Sequence, residues 1–174
     1  TGLSCARYLR RKGIAVRVAD TRAEPPGAAA LREQVPEAEL FTGAFAPALL
    51  EGVAQVVISP GLSLREPVAV EAVRRGLPVV GDIELFAREA RAPVAAITGT
   101  NGKSTVTTLL ADVANAAHRP AIAGGNLGEP ALDLLERPVP SLYVLELSSF
   151  QLETTYSLET STAAVLNVTP DHMD

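Results

Sequence analysis

Runs such as Val94-Ala95-Ala96-Ile97 and Leu142-Tyr143-Val144-Leu145 carry no polar residue at alternate positions, so a strand built from either has no face to give to water. Strands of that kind belong in a parallel sheet covered by helices on both sides. Short apolar or β-rich runs bounded by Gly, Pro or polar residues recur at 14–20, 55–59, 78–81, 93–98, 121–124, 142–147 and 163–168. Between them, residues 3–11, 28–34, 46–51, 67–75, 83–89, 103–117 and 130–136 place apolar side chains at spacings of three and four, with Gly13 and Gly76 as C-terminal stops. The alternation predicts an α/β fold. A boundary is expected near Gly81-Asp82, dividing the 174 residues into segments 1–81 and 82–174. Thr1-Gly2-Leu3-Ser4 reads as a loop entering a helix with no strand ahead of it, and the polar end at Asp171-His172-Met173-Asp174 falls where a further βα unit is due. Both ends suggest a larger parent protein.

Composition removes several classes of function. With 47% apolar and 20% charged residues the chain can bury a core, unlike a disordered segment. Its 15 Lys and Arg against 20 Asp and Glu give a formal charge of −5, the wrong balance for a nucleic-acid surface. The apolar runs are far shorter than the roughly 18–20 residues that cross a bilayer. One cysteine, Cys5, excludes an internal disulfide or a thiolate metal cage and reads as a small buried apolar residue. No hydrophobic h-region follows the first basic residues, so a cytoplasmic protein is expected.

The stretch Thr98-Gly99-Thr100-Asn101-Gly102-Lys103-Ser104-Thr105 follows one apolar run and opens a helical one. That is the setting of a phosphate loop: glycines admit phosphate oxygens to backbone N–H groups, the helix start is electropositive, Lys103 reaches the terminal phosphates and the Ser104 hydroxyl ligates Mg²⁺. Its first glycine comes late, so the loop is a variant of the usual pattern. A nucleoside triphosphate is the implied ligand. Glu146 ends an apolar strand whose C-terminal end, in a parallel sheet, lies on the same edge as the loop. It is either a metal ligand or a carboxylate paired with an Arg or a backbone donor. His172, beyond another strand, is either a metal ligand or a solvated side chain; His118 reads as surface. Gly124-Gly125-Asn126-Leu127-Gly128 is either a turn or a cradle for a substrate phosphate or sugar. Asp20 lies about 20 residues past Gly2, a spacing that sequence alone also allows for a dinucleotide site.

Taken together, the loop at 98–105, Gly125-Asn126, Glu146 within Leu145-Glu146-Leu147-Ser148-Ser149-Phe150-Gln151-Leu152-Glu153, and Asn167-Val168-Thr169-Pro170-Asp171-His172-Met173-Asp174 resemble the motifs of the Mur ligases. Gly81-Asp82-Ile83-Glu84-Leu85-Phe86 and the Ser148-Ser149-Phe150-Gln151-Leu152-Glu153 run narrow the resemblance to members that join D-glutamate to UDP-N-acetylmuramoyl-L-alanine. The resemblance implies a Rossmann-like N-terminal domain for the uridine nucleotide, then part of a mostly parallel ATPase domain, with a C-terminal amino-acid-binding domain outside this chain. Thr1, Gly2, Asp20, Thr21, Arg22, Ser59 and Gly61 would then serve the UDP end of the substrate. Gly99, Thr100, Asn101, Gly102, Lys103, Ser104 and Thr105 would bind ATP; Ser104, Glu146 and His172 would hold Mg²⁺, and Asn126 and Ser148 would orient substrate. Lys103, Glu146 and His172 carry the catalytic expectation. The parent would be a monomeric cytoplasmic ligase and this segment alone inactive. A nucleotide-binding protein without catalysis, another Mur or folylpolyglutamate-type ligase, and an NAD-dependent oxidoreductase are the alternatives.

Overall fold

The computed structural model describes residues 1–169. The chain divides into two compact units, Thr1–Val80 and Gly81–Asp174.

The first unit runs α1 (Gly2–Arg11), β1 (Arg17–Asp20), α2 (Ala28–Gln34), β2 (Glu39–Thr42), a 3₁₀ turn (Pro47–Leu50), β3 (Val56–Val57), α3 (Pro67–Arg74) and β4 (Val79–Val80). Its strands form two separate parallel pairs, β1 with β2 and β3 with β4. Each pair has its own apolar packing. Ala6, Leu31 and Val35 gather Leu3, Val16, Val18 and Leu40 on one side, and Leu50, Ile58, Ala69, Ala72 and Val79 gather Val56 and Leu77 on the other.

In the second unit the order is α4 (Asp82–Ala87), β5 (Val94–Thr98), α5 (Lys103–Ala116), β6 (Ala121–Gly125), α6 (Ala131–Leu134), β7 (Leu142–Glu146), α7 (Ser149–Leu152) and β8 (Thr162–Val165). The four strands make one parallel sheet in the order β6-β7-β5-β8. As their uniformly apolar sequences require, β5 and β7 occupy its middle, with Val94–Ile97 and Tyr143–Glu146 buried. Val106, Leu110, Ala111 and Ala114 of α5 pack over Ile97 and Val144. Phe86 of α4 meets Tyr143 edge-on, ring centroids 5.1 Å apart. The α/β class with parallel sheets is the architecture that the sequence predicts.

Several elements differ from their sequence expectation. Residues 14–20 begin their strand only at Arg17, because Ile14 is 52% exposed and pairs with no strand among the described residues. Strand β2 is unanticipated: in Glu39-Leu40-Phe41-Thr42 only Leu40 is half-buried, too little apolar pattern to read. Residues 46–51 tighten to a single 3₁₀ turn behind Pro47. Helix α7 is also additional, and β8 is displaced toward Thr162. No helix among the described residues is long and apolar enough to cross a membrane.

Candidate functional site

Because all four strands of the second sheet run parallel, their C-terminal ends share one edge. The register sets Glu146 of β7 beside Ile97 of β5 and beside Gly125 of β6, which brings the 98–105 loop, Gly125-Asn126 and the end of β7 together. Ser104 Oγ donates to Glu146 Oε2 at 2.7 Å, and Asn126 Nδ2 donates to Glu146 Oε1 at 2.8 Å. The approach of β6 to β7 is close. Gly125 takes φ +101°, and a Cβ there would stand 2.5 Å from the Glu146 carbonyl oxygen, which instead accepts from Asn126 N at 2.8 Å. Only glycine meets both conditions.

Helix α5 starts from Gly102, whose φ is +84°, and no side chain caps it. The N–H groups of its first turn are therefore free of the usual capping oxygen and face outward with the positive end of a 14-residue helix. Lys103 Nζ is turned onto the loop, donating to the carbonyls of Gly99 at 2.7 Å and Thr100 at 3.1 Å. Thr105 is exposed on the same turn. Asn167, to which the sequence assigns no separate role, braces the loop from the β8 side. Its Oδ1 accepts from Asn101 N at 2.8 Å, its Nδ2 donates to Asn101 O at 2.9 Å, and its carbonyl accepts from Thr100 N at 3.1 Å. Thr98 Oγ1 donates to Leu147 O at 2.9 Å, tying the loop to the end of β7.

Glu146 is 3% exposed. Among the described residues both of its carboxylate oxygens accept from neutral donors. Neither of these two donors is an Arg or a backbone N–H. A buried anionic oxygen beside a hydroxyl is an all-oxygen donor pair that suits a small hard cation, and Mg²⁺ is commonly held by one or two such groups together with substrate phosphates. No group of three or more His, Cys, Asp or Glu gathers among the described residues. His172, the third expected ligand, lies outside the described residues.

Ser148 follows Glu146 by two residues and caps α7. Its hydroxyl accepts from Gln151 N at 3.2 Å while Gln151 Oε1 accepts from Ser148 N at 3.1 Å, a reciprocal capping box. The Ser-x-x-Gln spacing that signals it is present in the sequence. In turn, Gln151 Nε2 donates to Asp82, a buried residue to which sequence reasoning assigns no chemistry.

In the first unit the expected UDP-facing residues lie at chain turns. Thr1 and Gly2 are exposed at the start of α1, Ser59 and Gly61 follow β3, and Asp20, Thr21 and Arg22 close β1. Asp20 takes a bidentate contact from Arg22, at 2.8 Å to Nε and 2.6 Å to Nη2. That hydrogen bonding holds its carboxyl at about 2, below the ordinary carboxylate range.

Residues 1–81 match the family described as Mur ligase MurD-like, N-terminal domain, and residues 97–174 match the Mur ligase middle domain. A UDP-N-acetylmuramoylalanine--D-glutamate ligase from Nitrosococcus oceani is 60% identical over the whole chain and 38% of its own length. The ligase of the same description from Pseudomonas aeruginosa is 53% identical over the whole chain and 39% of its length. The chain thus spans about two fifths of these curated relatives. Among solved structures, a UDP-N-acetylmuramate:L-alanyl-gamma-D-glutamyl-meso-diaminopimelate ligase from Neisseria meningitides superposes with a TM-score of 0.59 at 20% identity, covering 99% of this chain and 58% of that one. A murein peptide ligase from Psychrobacter arcticus does so at 0.54 and 19%, covering 97% and 41%. These two likenesses are of fold.

Proposed function

We propose that this chain, which belongs to the Mur ligase family, is the nucleotide-handling portion of an ATP-dependent ligase that joins D-glutamate to UDP-N-acetylmuramoyl-L-alanine for the bacterial cell wall. The Ser104–Glu146 hydrogen bond at the phosphate loop carries this reading, since it pairs a triphosphate-binding helix start with a carboxylate able to hold a cation. The names of the curated relatives support the choice of substrates.

Amide formation from a carboxylate needs that carboxylate activated. In the proposed reaction the acceptor carboxylate attacks the terminal phosphorus of ATP, the bond to the ADP oxygen breaks, and an acyl phosphate results. The amine of D-glutamate then attacks the acyl carbon, phosphate leaves, and the amine proton is lost to solvent or a base. Lys103 and the N–H groups opening α5 stabilise charge on the transferring group. Ser104 and Glu146 would hold Mg²⁺, which would supply neutralisation of phosphate charge. Asn126, on Glu146 and at the mouth of β6, and Ser148 orient the acceptor. Gly99, Thr100, Asn101, Gly102 and Thr105 shape the ATP loop. Thr1, Gly2, Asp20, Thr21, Arg22, Ser59 and Gly61 of the segment 1–81 take the uridine end, and the segment 82–174 takes ATP. His172, outside the described residues, is the further cation ligand that the family resemblance implies. Reaction on a nucleotide sugar with ATP fits a cytoplasmic protein.

The test is phosphate release by the full-length protein carrying this chain. Release is expected only with ATP, UDP-N-acetylmuramoyl-L-alanine and D-glutamate all present, and Lys103→Ala is expected to abolish it. Release with neither acceptor nor amine identifies a simple ATPase; ATP binding with no release identifies a non-catalytic nucleotide-binding protein.

A further inference from the structure

A buried carboxylate is costly unless it is well partnered, and the proposed chemistry leaves one such group unused. Asp82 is 2% exposed at the start of α4, and both its oxygens face Gln151 Nε2, at 3.2 and 3.4 Å. Gln151 is likewise 2% exposed. Its other end, Oε1, accepts from Ser148 N at 3.1 Å and from Ser148 Oγ at 3.3 Å. We infer that Asp82 is a positioning residue: it fixes which way the Gln151 amide points, and through Gln151 the direction of the Ser148 hydroxyl. The inference rests on the reading of Ser148 as an acceptor-orienting residue.

The two ends of a glutamine amide are nearly alike in shape, so rotating it by half a turn changes no volume and only the partners decide its sense. A carboxylate only accepts and a backbone N–H only donates. With Asp82 at one end and Ser148 N at the other, one orientation makes every contact favourable. The reverse sets oxygen against carboxylate and N–H against N–H. Asp82 thus commits Oε1 toward Ser148. The Ser148 hydroxyl points its proton inward to Oε1 and accepts from Gln151 N, leaving its remaining lone pair to meet a donor group on a bound ligand.

The segment bearing Asp82 is held in place on both sides. Gly81 N donates to Thr154 O at 3.1 Å. A methyl group on Gly81 would overlap Thr154 Oγ1, so any larger residue there requires that side chain to shift. Two residues beyond Asp82, the Glu84 carboxylate accepts from Tyr156 N at 2.7 Å, Ser157 N at 2.8 Å and Ser157 Oγ at 2.9 Å. Residues 81–84 are therefore latched along 151–157, shortly after Glu146 at the end of β7 and Ser148 at the cap of α7.

Three variants of the full-length protein test this. Asp82→Asn removes one of the two constraints on the sense of the Gln151 amide and leaves only the Ser148 N–H to set it, so the reversed sense becomes populated, and kcat/KM for the acceptor is expected to fall about tenfold with KM for ATP unchanged within twofold. Gln151→Glu sets two carboxylates together and is expected to lose at least as much. Combining D82N with Q151E restores the pattern, because the amide introduced at position 82 donates to one oxygen of the carboxylate introduced at position 151 while the other oxygen accepts from Ser148. The double variant is therefore expected within threefold of wild type. The side-chain amide of Gln151, followed by NMR, gives a readout without turnover: one slowly exchanging pair in wild type, two pairs or rapid exchange in Asp82→Asn. A double variant no better than the worse single, or one that fails to fold, overturns the inference. So does an Asp82→Asn variant with the wild-type amide signal and kcat/KM. If the wild-type protein forms no amide product, the proposed function fails and the amide signal alone decides the role of Asp82.

Discussion

Removing the Ser104 hydroxyl leaves the Glu146 carboxylate with the Asn126 amide as its described side-chain partner. Ser104→Ala is expected to raise the Mg²⁺ concentration needed for ATP binding about tenfold, the scale typical of losing a group that holds or orients a cation. Calorimetric titration of ATP at several Mg²⁺ concentrations checks this. Asn167→Ala removes both side-chain contacts to Asn101, so the loop must be ordered by the ligand itself. An approximately tenfold weaker ATP affinity is expected in the same titration, as ordering a residue or two costs about 1–2 kcal/mol. At this scale the loop and Glu146 were legible because their residue types announce charge and phosphate chemistry. Asn167 and Asp82 were not, because their roles come from partners 66 and 69 residues away.

Among the elements, α4 shows how a short helix can be fixed by its surroundings rather than by propensity. Its six residues are too few to be stable alone, yet Asp82 through Phe86 are all buried and its two carboxylates are engaged by the segment 151–157. Gly81→Ala pushes a methyl group against Thr154 Oγ1 and is expected to cost about 2 kcal/mol, in the range of overpacked positions. Adding Thr154→Ala is expected to recover part of that loss, which urea denaturation of the single and double variants measures. Strands β5 and β7 were readable because a four-residue apolar run in a βα pattern has few other fates. Helix α7 was missed although Ser148 and Gln151 have capping-box spacing, since four residues give no helical periodicity. Strand β2 exists through its pairing with β1, a tertiary fact without a local trace.

At the scale of the whole molecule, acid stability follows from the same latch. Burial pushes the Glu84 carboxyl upward, but the N–H groups of Tyr156 and Ser157, the Ser157 hydroxyl and Arg88 outweigh it and hold the group at about 2 against an ordinary 4.5. A depressed carboxyl stabilises the fold fully above its unfolded value and loses that contribution as the pH falls from 4.5 toward 2. About 3 kcal/mol is at stake. Burial raises Asp82 above its ordinary 3.8, so its contribution has the opposite sign and declines as the pH rises through that value. Urea midpoints are expected to drop as the pH falls from about 4.5 toward 2, and Glu84→Gln is expected to flatten that drop. The strand order β6-β7-β5-β8 has a kinetic corollary. Ser104 and Glu146 become neighbours only after the chain has left β5, built β6 and returned with β7, and the brace from Asn167 waits for β8. Closing such long intervals is entropically slow. On the proposed function a half-folded chain would offer no competent seat for a triphosphate, and the gain of nucleotide affinity during refolding would act as a clock for completion of the sheet.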